Sequence, residues 1–143
     1  MLRMEWDPSF SVNNAEIDGQ HKEWIGIFNK MHAGLIKGNE NDLQAIIRES
    51  LRAMQDYARY HFECEEALMR KIGYPDLVRH MRMHKDFDAL IYRYNRDLND
   101  GEIILGTELI KIIKDWLLEH IRVEDKKYAP YIAEYENRLK GAG

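Results

Sequence analysis

Two pairs of potential metal ligands, each spaced by one helical turn, constrain this chain more than any other feature. His61 and Glu65 form the first pair, and His80 and His84 form the second. Side chains at positions i and i+4 lie on the same face of an α-helix, with Cβ atoms about 5–6 Å apart. A Gly-Tyr-Pro turn at positions 73–75 separates the pairs and is short enough to bring two helices side by side and antiparallel. The sequence therefore predicts two neighbouring helices that direct four ligands toward one place.

The rest of the chain has the hydrophobic periodicity of further amphipathic helices, with apolar residues at alternating spacings of three and four. After an irregular N-terminal arm over residues 1–17, the predicted helices span about 18–37, 42–71, 75–98 and 107–133. Four such helices with short connections are typical of an all-α fold, an up-down-up-down antiparallel four-helix bundle. No repeat, low-complexity tract or linker divides the sequence, so residues 1–143 are expected to form a single domain.

Glycine, asparagine and proline residues mark the expected helix ends. Gly38, followed by residues 39–41 (Asn-Glu-Asn), has the chemistry of a C-cap and then an N-cap. Pro130 is expected to end or kink the fourth helix, with a polar tail from about Glu134.

Composition narrows the class of protein. A net charge of −4 argues against the basic surface that nucleic-acid binding requires. No apolar run approaches the roughly 18–20 residues that span a membrane, and the N-terminus lacks the apolar core of a signal peptide. The single cysteine, Cys64, fits a reducing compartment, so a cytoplasmic location is expected.

Polar residues at core positions of the predicted helices indicate a metal site. Five of the six histidines, together with Glu65, fall on the apolar stripes. Each would cost about 1–3 kcal/mol if buried without a partner. Six would cost about 10 kcal/mol, which is comparable with the stability of a whole domain, about 5–15 kcal/mol. A shared metal would satisfy them together.

Asp125 is a further candidate ligand, five residues after His120. Five residues correspond to about 500° of rotation on a regular helix, so the two side chains do not share one narrow face. Either Asp125 enters from the adjoining face, or the helix bulges there. The complete set of candidate ligands is His21, His61, Glu65, His80, His84, His120 and Asp125.

Seven ligands are too many for one zinc ion, which takes four. Five imidazoles and two carboxylates suit two first-row metal ions with bridging carboxylates, and iron fits this mixture of nitrogen and oxygen donors. Ferritin-like di-iron proteins use Glu-x-x-His on two helices, and that motif does not occur here.

The ordered motifs of this sequence resemble those of the hemerythrin family, specifically the bacterial hemerythrins. They extend over nearly the whole chain: Trp6-Asp7…Phe10-Ser11-Val12, Ile17-Asp18-Gly19-Gln20-His21-Lys22, His61-Phe62-x-x-Glu65-Glu66, Gly73-Tyr74-Pro75, His80-x-x-x-His84 and Trp116-x-x-x-His120-x-x-x-x-Asp125. The resemblance also assigns Asp125 as a bridging ligand.

The resemblance implies a non-haem di-iron centre that binds O2 reversibly. His80, His84 and His120 would hold one iron ion, and His21 and His61 would hold the other. Glu65 and Asp125 would bridge the ions together with a solvent-derived oxo or hydroxo group. The first iron would then have six ligands and the second five, which leaves one position for O2.

An apolar wall would protect bound O2. By resemblance and helix position, its residues would be Trp24, Phe62, Trp116, Leu117 and Ile121. The same five residues are also explained as ordinary bundle core.

A few polar residues near these motifs have simpler interpretations. His32 is interpreted as a surface histidine and Cys64 as a small buried or half-buried thiol. Glu66 is either a solvated helix-face charge or a partner of a ligand. Tyr128 either packs or donates a hydrogen bond to a ligand.

Three functions are compatible with this reading. The leading one is O2 carriage, storage or delivery by a binding protein that is not an enzyme. An O2- or redox-sensing module, acting through a protein partner or as part of a larger protein, is the second. Peroxidase- or oxidase-type chemistry is the third, and the absence of an obvious acid at the open iron position argues against it.

Overall fold

Four antiparallel helical arms in up-down-up-down order form the bundle, as the computed structural model shows for residues 3–38 and 42–141. The α-helices are α1 Ala15–Lys37, α2 Leu43–Ile72, α3 Leu77–Asn99, α4 Gly106–Glu119 and α5 Ala129–Gly141. Helix α1 packs on α2, α2 on α3, and the fourth arm closes the bundle against α1. The predicted all-α bundle is confirmed, and no helix in the described ranges is long and apolar enough to cross a membrane.

The helix ends follow from local hydrogen bonds. Helix α1 begins three residues earlier than predicted because the Asn14 side chain accepts a hydrogen bond from the Ile17 amide (3.0 Å), which caps the first turn. Gly38 is the C-cap of α1. The predicted capping residues 39–41 lie outside the described part of the chain.

Gly73 makes the turn between α2 and α3. Its φ of 72° is in the left-handed region, which a side chain disfavours. The next amide, that of Tyr74, donates to the Met69 carbonyl (2.9 Å), as in a Schellman-type helix end. This turn reverses the chain and sets the two ligand pairs of α2 and α3 against each other.

The fourth arm differs from the single helix predicted over 107–133. It consists of α4, a π-helical segment His120–Glu124, a 3-10 turn Asp125–Lys127, and α5. The predicted helix end at about residue 133 is wrong, since the polar residues from about Glu134 onward, expected as a tail, belong to α5, which continues to Gly141. Pro130 lies in the first turn of α5, where its missing amide hydrogen removes no helical hydrogen bond, so it begins a helix instead of ending one.

Two apolar clusters fill the bundle, and the candidate ligands lie between them. The main cluster includes Trp24, Phe28, Leu51, Met54, Phe62, Phe87, Ile91, Ile113, Leu117 and Ile121. The small cluster consists of Val12, Ile17, Met69, Ile72, Tyr74, Tyr128 and Ile132. On α2, for example, His61 and Glu65 lie between Ala58 of the main cluster and Met69 of the small one. The ligands therefore form a polar layer across an otherwise apolar core.

The N-terminal arm is fixed to the bundle by hydrogen bonds and apolar contacts. Asn29 of α1 makes two reciprocal bonds with the Met4 backbone, accepting from its amide (2.8 Å) and donating to its carbonyl (2.7 Å). The amide of Val12 donates to the Asp18 carboxylate (2.9 Å), and Phe10 is buried in the main cluster. The arm thus covers the side of the bundle next to α1.

Replacing Gly73 by alanine is expected to lower the free energy of unfolding by about 1–2 kcal/mol, because an L-residue at this φ is strained. The matched control is Gly26→Ala. Gly26 is a solvent-exposed residue in the middle of α1, where an added Cβ meets nothing within 4 Å. This control is expected to raise the free energy of unfolding by up to about 1 kcal/mol. Urea unfolding of both variants measures the two effects, and an equal or more stable Gly73→Ala would contradict the assigned turn.

Candidate metal centre

Seven buried polar side chains from all four arms converge in the polar layer. Helix α1 supplies His21, α2 supplies His61 and Glu65, α3 supplies His80 and His84, and the fourth arm supplies His120 and Asp125. The most exposed of the seven, His84, is only 3% exposed. All seven sequence-predicted ligands are therefore brought together in one place.

The ligand atoms form two groups, each of which has its atoms within 4.8 Å of one another. We call them the three-histidine group, which is Glu65, His80, His84 and His120, and the two-histidine group, which is His21, His61, Glu65 and Asp125. Glu65 belongs to both groups, so the two potential ion positions share a carboxylate.

The two oxygens of Glu65 face different groups. Its Oε1 lies 2.7 Å from the Nε2 of His80, 2.9 Å from that of His84 and 3.1 Å from that of His120. Its Oε2 lies 3.1 Å from the Nε2 of His61. One carboxylate thus presents one oxygen to each potential ion.

Asp125 divides its oxygens in the same way. Its Oδ1 lies 3.0 Å from the Nε2 of His80 and 3.1 Å from that of His120. Its Oδ2 lies 2.8 Å from the Nε2 of His21. Both carboxylates therefore span the two groups.

A bulge in the fourth arm brings Asp125 to the same side as His120. The amide of Asp125 donates to the carbonyl of His120, five residues earlier, which is the hydrogen bond of a π-helical turn. Of the two arrangements that the sequence allows, the structure has the bulge. The buried Glu124 carboxylate anchors it, since it accepts from Arg79 of α3 (2.9 Å) and from Lys127 (3.1 Å).

Several of the buried ligand atoms have no hydrogen-bond partner. They are both ring nitrogens of His21, the Nε2 of His61, the Nδ1 of His120 and both carboxylate oxygens of Asp125. His21 Nε2 and Asp125 Oδ2 are only 2.8 Å apart, yet the contact does not have hydrogen-bond geometry. Unpartnered buried polar atoms are costly, and a cation between them would remove that cost. Imidazole and carboxylate donors fit a first-row metal ion.

Burial and neighbouring charges set the protonation of the ligands. Burial lowers the pKa of His61, and it lowers that of His120 to about 3, so both rings are neutral and able to bind a metal. Burial also lowers the pKa of His80, but its close contact with the Asp125 carboxylate (3.0 Å) and its hydrogen bond with Glu65 outweigh this effect and raise the pKa to about 9.

The two carboxylates shift in opposite directions. Burial raises the pKa of Glu65, but the surrounding histidines, His61 first among them, outweigh it and hold the pKa well below 4.5. Burial raises the pKa of Asp125 well above 3.8, and the charge of Glu65 adds to this shift. In the metal-free protein, Glu65 is thus the ionised member of the pair.

Three further side chains orient the ligands. The Nδ1–H of His61 donates to the Gln20 Oε1 (2.7 Å), and that of His84 donates to Glu66 (2.8 Å). The hydroxyl of Tyr128 donates to the Glu65 Oε2 (3.1 Å). Contacts of this kind fix ring orientation and leave the opposite nitrogen free for a metal.

Two of these three residues, Glu66 and Tyr128, are candidates from the sequence as well. For Glu66 and Tyr128, the structure supports the reading as partners of ligands. The sequence analysis gives Gln20 no role, although its position indicates one, since it lies three residues after Ile17 and four before Trp24, on the apolar stripe of α1. A polar residue at a core position requires a partner.

Aromatic rings of the expected O2 pocket contact the ligand rings. Phe62 stacks on His84 with ring centroids 3.9 Å apart, and Trp116 stacks on His120 at 4.6 Å. Trp24 lies against His61 at 5.2 Å. The other two pocket candidates, Leu117 and Ile121, are fully buried in the main cluster.

Two polar residues that the sequence analysis keeps apart from the metal site, His32 and Cys64, lie outside both ligand groups. His32 is half-buried and parallel to the ring of Phe28. Cys64 is a half-buried free thiol.

Comparisons with known proteins agree with this geometry. A family model described as "Hemerythrin HHE cation binding domain" matches residues 12–132. The bacteriohemerythrin of Methylococcus capsulatus is 31% identical over 134 residues, which are 93% of this chain and 99% of that protein. A hemerythrin-like protein of Naegleria gruberi is 33% identical over 125 residues, which are 86% of this chain and 88% of that protein.

Two solved hemerythrin structures also superpose on this chain. The crystal structure of a wild-type hemerythrin is 30% identical and superposes with a TM-score of 0.78, covering 89% of this chain and 95% of that one. That of a hemerythrin point variant, also 30% identical, superposes with a TM-score of 0.81, covering 91% of this chain and 97% of that one.

The metal-free protein is expected to lose about 2 kcal/mol of stability as pH rises from about 7.5 to 9.5. His80 has a pKa of about 9 in the folded chain against 6.5 for an unperturbed histidine. The folded state therefore binds the extra proton in this window, and a rising pH removes it. The lowered pKa values of His61 and His120 act in the opposite sense, but their effect is complete above about pH 7.5, where an unfolded histidine is already neutral.

Urea unfolding in the presence of a chelator, repeated across this pH range, measures the loss. The metal-loaded protein is the control, because an imidazole bound to a metal does not hold the proton. A free energy of unfolding that stays level or rises in the metal-free protein would contradict the assigned protonation of His80.

Proposed function

The chain belongs to the hemerythrin family, and on that premise we propose that it binds O2 reversibly at two non-haem iron ions, to carry, store or deliver it. The three-histidine group would hold one ion through His80, His84 and His120. The two-histidine group would hold the other through His21 and His61. Glu65 and Asp125 would bridge the two ions.

One observation carries the two-ion proposal, namely that each carboxylate directs its two oxygens to different histidine groups. A carboxylate that served a single ion would have no need of histidines at both oxygens. Glu65 has histidine nitrogens within 3.1 Å of both its oxygens, and Asp125 has them within 3.1 Å of both of its own. This is the arrangement that a pair of ions bridged by two carboxylates requires.

The number of ligands at each ion indicates which of the two ions would bind O2. The three-histidine ion would have five protein ligands, and the two-histidine ion would have four. A solvent-derived bridge would add one ligand to each, which would give six and five ligands, so the open position would lie on the two-histidine ion. When bound, the pair of ions would supply the reversible electron transfer on which O2 binding depends.

The surrounding rings would keep water and protons away from this position. Trp24 is fully buried, Phe62 is 5% exposed, and both rings contact ligand histidines, His61 and His84. A dry site preserves a reversible complex because it prevents side reactions with solvent.

Tyr128 supports a binding protein over an enzyme that cleaves the O–O bond. Its hydroxyl donates a hydrogen bond to the Glu65 oxygen that faces the two-histidine group. Burial raises the pKa of Tyr128 well above 10, and the charge of Glu65 adds to the shift. A group that holds its proton so tightly is a poor general acid near neutral pH, and cleavage of O2 requires protons.

The direct test is an anaerobic one. The metal-free protein, reconstituted with Fe²⁺, is expected to hold two iron ions per chain. Its visible spectrum should gain an absorption band when air is admitted and lose the band when the solution is flushed with argon. An irreversible spectral change would favour redox sensing or oxidase chemistry, and no iron-dependent change would reject the di-iron proposal.

Leu117→Glu is expected to abolish this reversible band while iron stays bound, because the new carboxylate would compete for the open position. Leu117 lies three residues before His120 on the same helical face. The matched control is Ile113→Glu, one turn earlier and as fully buried, which should be destabilised by a similar amount and keep the band. A reversible band in Leu117→Glu would contradict the pocket assignment.

A further inference from the structure

The two histidine groups have unequal partners behind them. The two-histidine group has a neutral amide behind His61, whereas the three-histidine group has a carboxylate behind His84. We propose that Glu66, through its hydrogen bond to His84, makes the three-histidine group the tighter metal position, which fills first. The inference rests on the proposed pair of ions and adds the order in which they are loaded.

The geometry of His84 places Glu66 and the metal position at opposite ends of one ring. Its Nδ1 lies 2.8 Å from Glu66 Oε2, and its Nε2 lies 2.9 Å from Glu65 Oε1. The Nδ1 therefore carries the hydrogen and the Nε2 lone pair is available to a metal. Phe62, stacked parallel to the ring at 3.9 Å, holds the imidazole plane in this orientation.

Glu66 acts on His84 through its charge as well as its position. A hydrogen bond to a charged acceptor is about twice as strong as one to a neutral acceptor. It draws the Nδ1 proton toward the carboxylate and increases electron density at Nε2, which strengthens the bond to a metal. Glu66 also keeps partial contact with solvent, with 19% of its side chain exposed.

His61 provides the internal comparison. Its Nδ1 lies 2.7 Å from Gln20 Oε1, so the bond length, the ring atom and the orientation closely match those of His84. The acceptor is a neutral amide oxygen from a residue that is 6% exposed. The difference between the two hydrogen bonds is therefore chiefly one of charge.

Both effects favour the three-histidine group as the first metal position. It has one more imidazole than the other group, and one of its imidazoles has an anionic partner. Loss of an outer partner of a ligand histidine typically costs about 10–100-fold in metal affinity. A charge-only change at Glu66 should therefore weaken one position and leave the other unchanged.

The test is a titration of the full-length, metal-free chain with Co²⁺ under anaerobic conditions at one fixed pH, followed by the visible bands of bound cobalt. The unmodified chain is expected to bind two ions in two phases. Glu66→Gln keeps a hydrogen-bond acceptor at His84 and removes only the charge, so the tighter phase should weaken about 10–100-fold while the second phase stays unchanged.

Two further variants separate the effect of the Glu66 charge on His84 from a general effect of removing a negative charge from α2. Glu63→Gln removes the same charge from an exposed position on the same helix and should leave both phases unchanged. Gln20→Glu gives His61 an anionic partner and should tighten the weaker phase, which narrows the gap between the two.

Release of Co²⁺ from the loaded protein to a chelator provides a second measurement that does not depend on the folding of the metal-free variants. Release is expected in two phases, and Glu66→Gln should accelerate the slower one. The proposal is overturned if Glu66→Gln leaves both binding phases and both release phases unchanged, or weakens both positions equally. Binding of one Co²⁺ per chain would instead reject the pair of ions, and with it the order of loading.

Discussion

The cost of burying a polar layer within the bundle governs the rest of this structure. Seven ligand side chains lie between two apolar clusters, and the Nε2 of His61 and both oxygens of Asp125 have no hydrogen-bond partner. Apolar packing alone does not offset such groups. The turn at Gly73 and the bulge after His120 both serve to bring these atoms to a shared centre where a cation offsets their burial.

Three residues that are adjacent to a ligand in the sequence hold a ligand on another helix, or the bulge itself, in position through hydrogen bonds. Gln20 precedes His21 but contacts His61, Glu66 follows Glu65 but contacts His84, and Glu124 precedes Asp125 but anchors the bulge. Because neighbours on a helix point about 100° apart, each of these three residues reaches a different helix from the ligand beside it. The helices are thus joined by a second set of contacts immediately outside the ligands.

The sequence predicted the bundle and the convergence of the ligands because both depend on regular helical periodicity. His61 with Glu65 and His80 with His84 share faces at i,i+4, and the short turn at Gly73 leaves one way to pair them. Departures from a regular α-helix, such as the bulge after His120, do not follow from this periodicity. The spacing of His120 and Asp125 fitted a bulge or an adjoining face, and the bulge depends on tertiary contacts to Glu124. The continuation of α5 beyond residue 133 was not predicted because its exposed face is polar and Ile132 is the only buried residue of this helix.

The position of the polar layer has a mechanical consequence. The small cluster, which joins the start of α1, the turn at Gly73 and the beginning of α5, makes its apolar contacts on one side of the layer, and the main cluster makes them on the other. Among the described residues the two clusters remain separate on either side of the layer, so metal bound there would connect the two halves and make them unfold as one cooperative unit. Without that connection we expect the Gly73 end of the bundle, which has the smaller apolar cluster, to open locally before the aromatic end does.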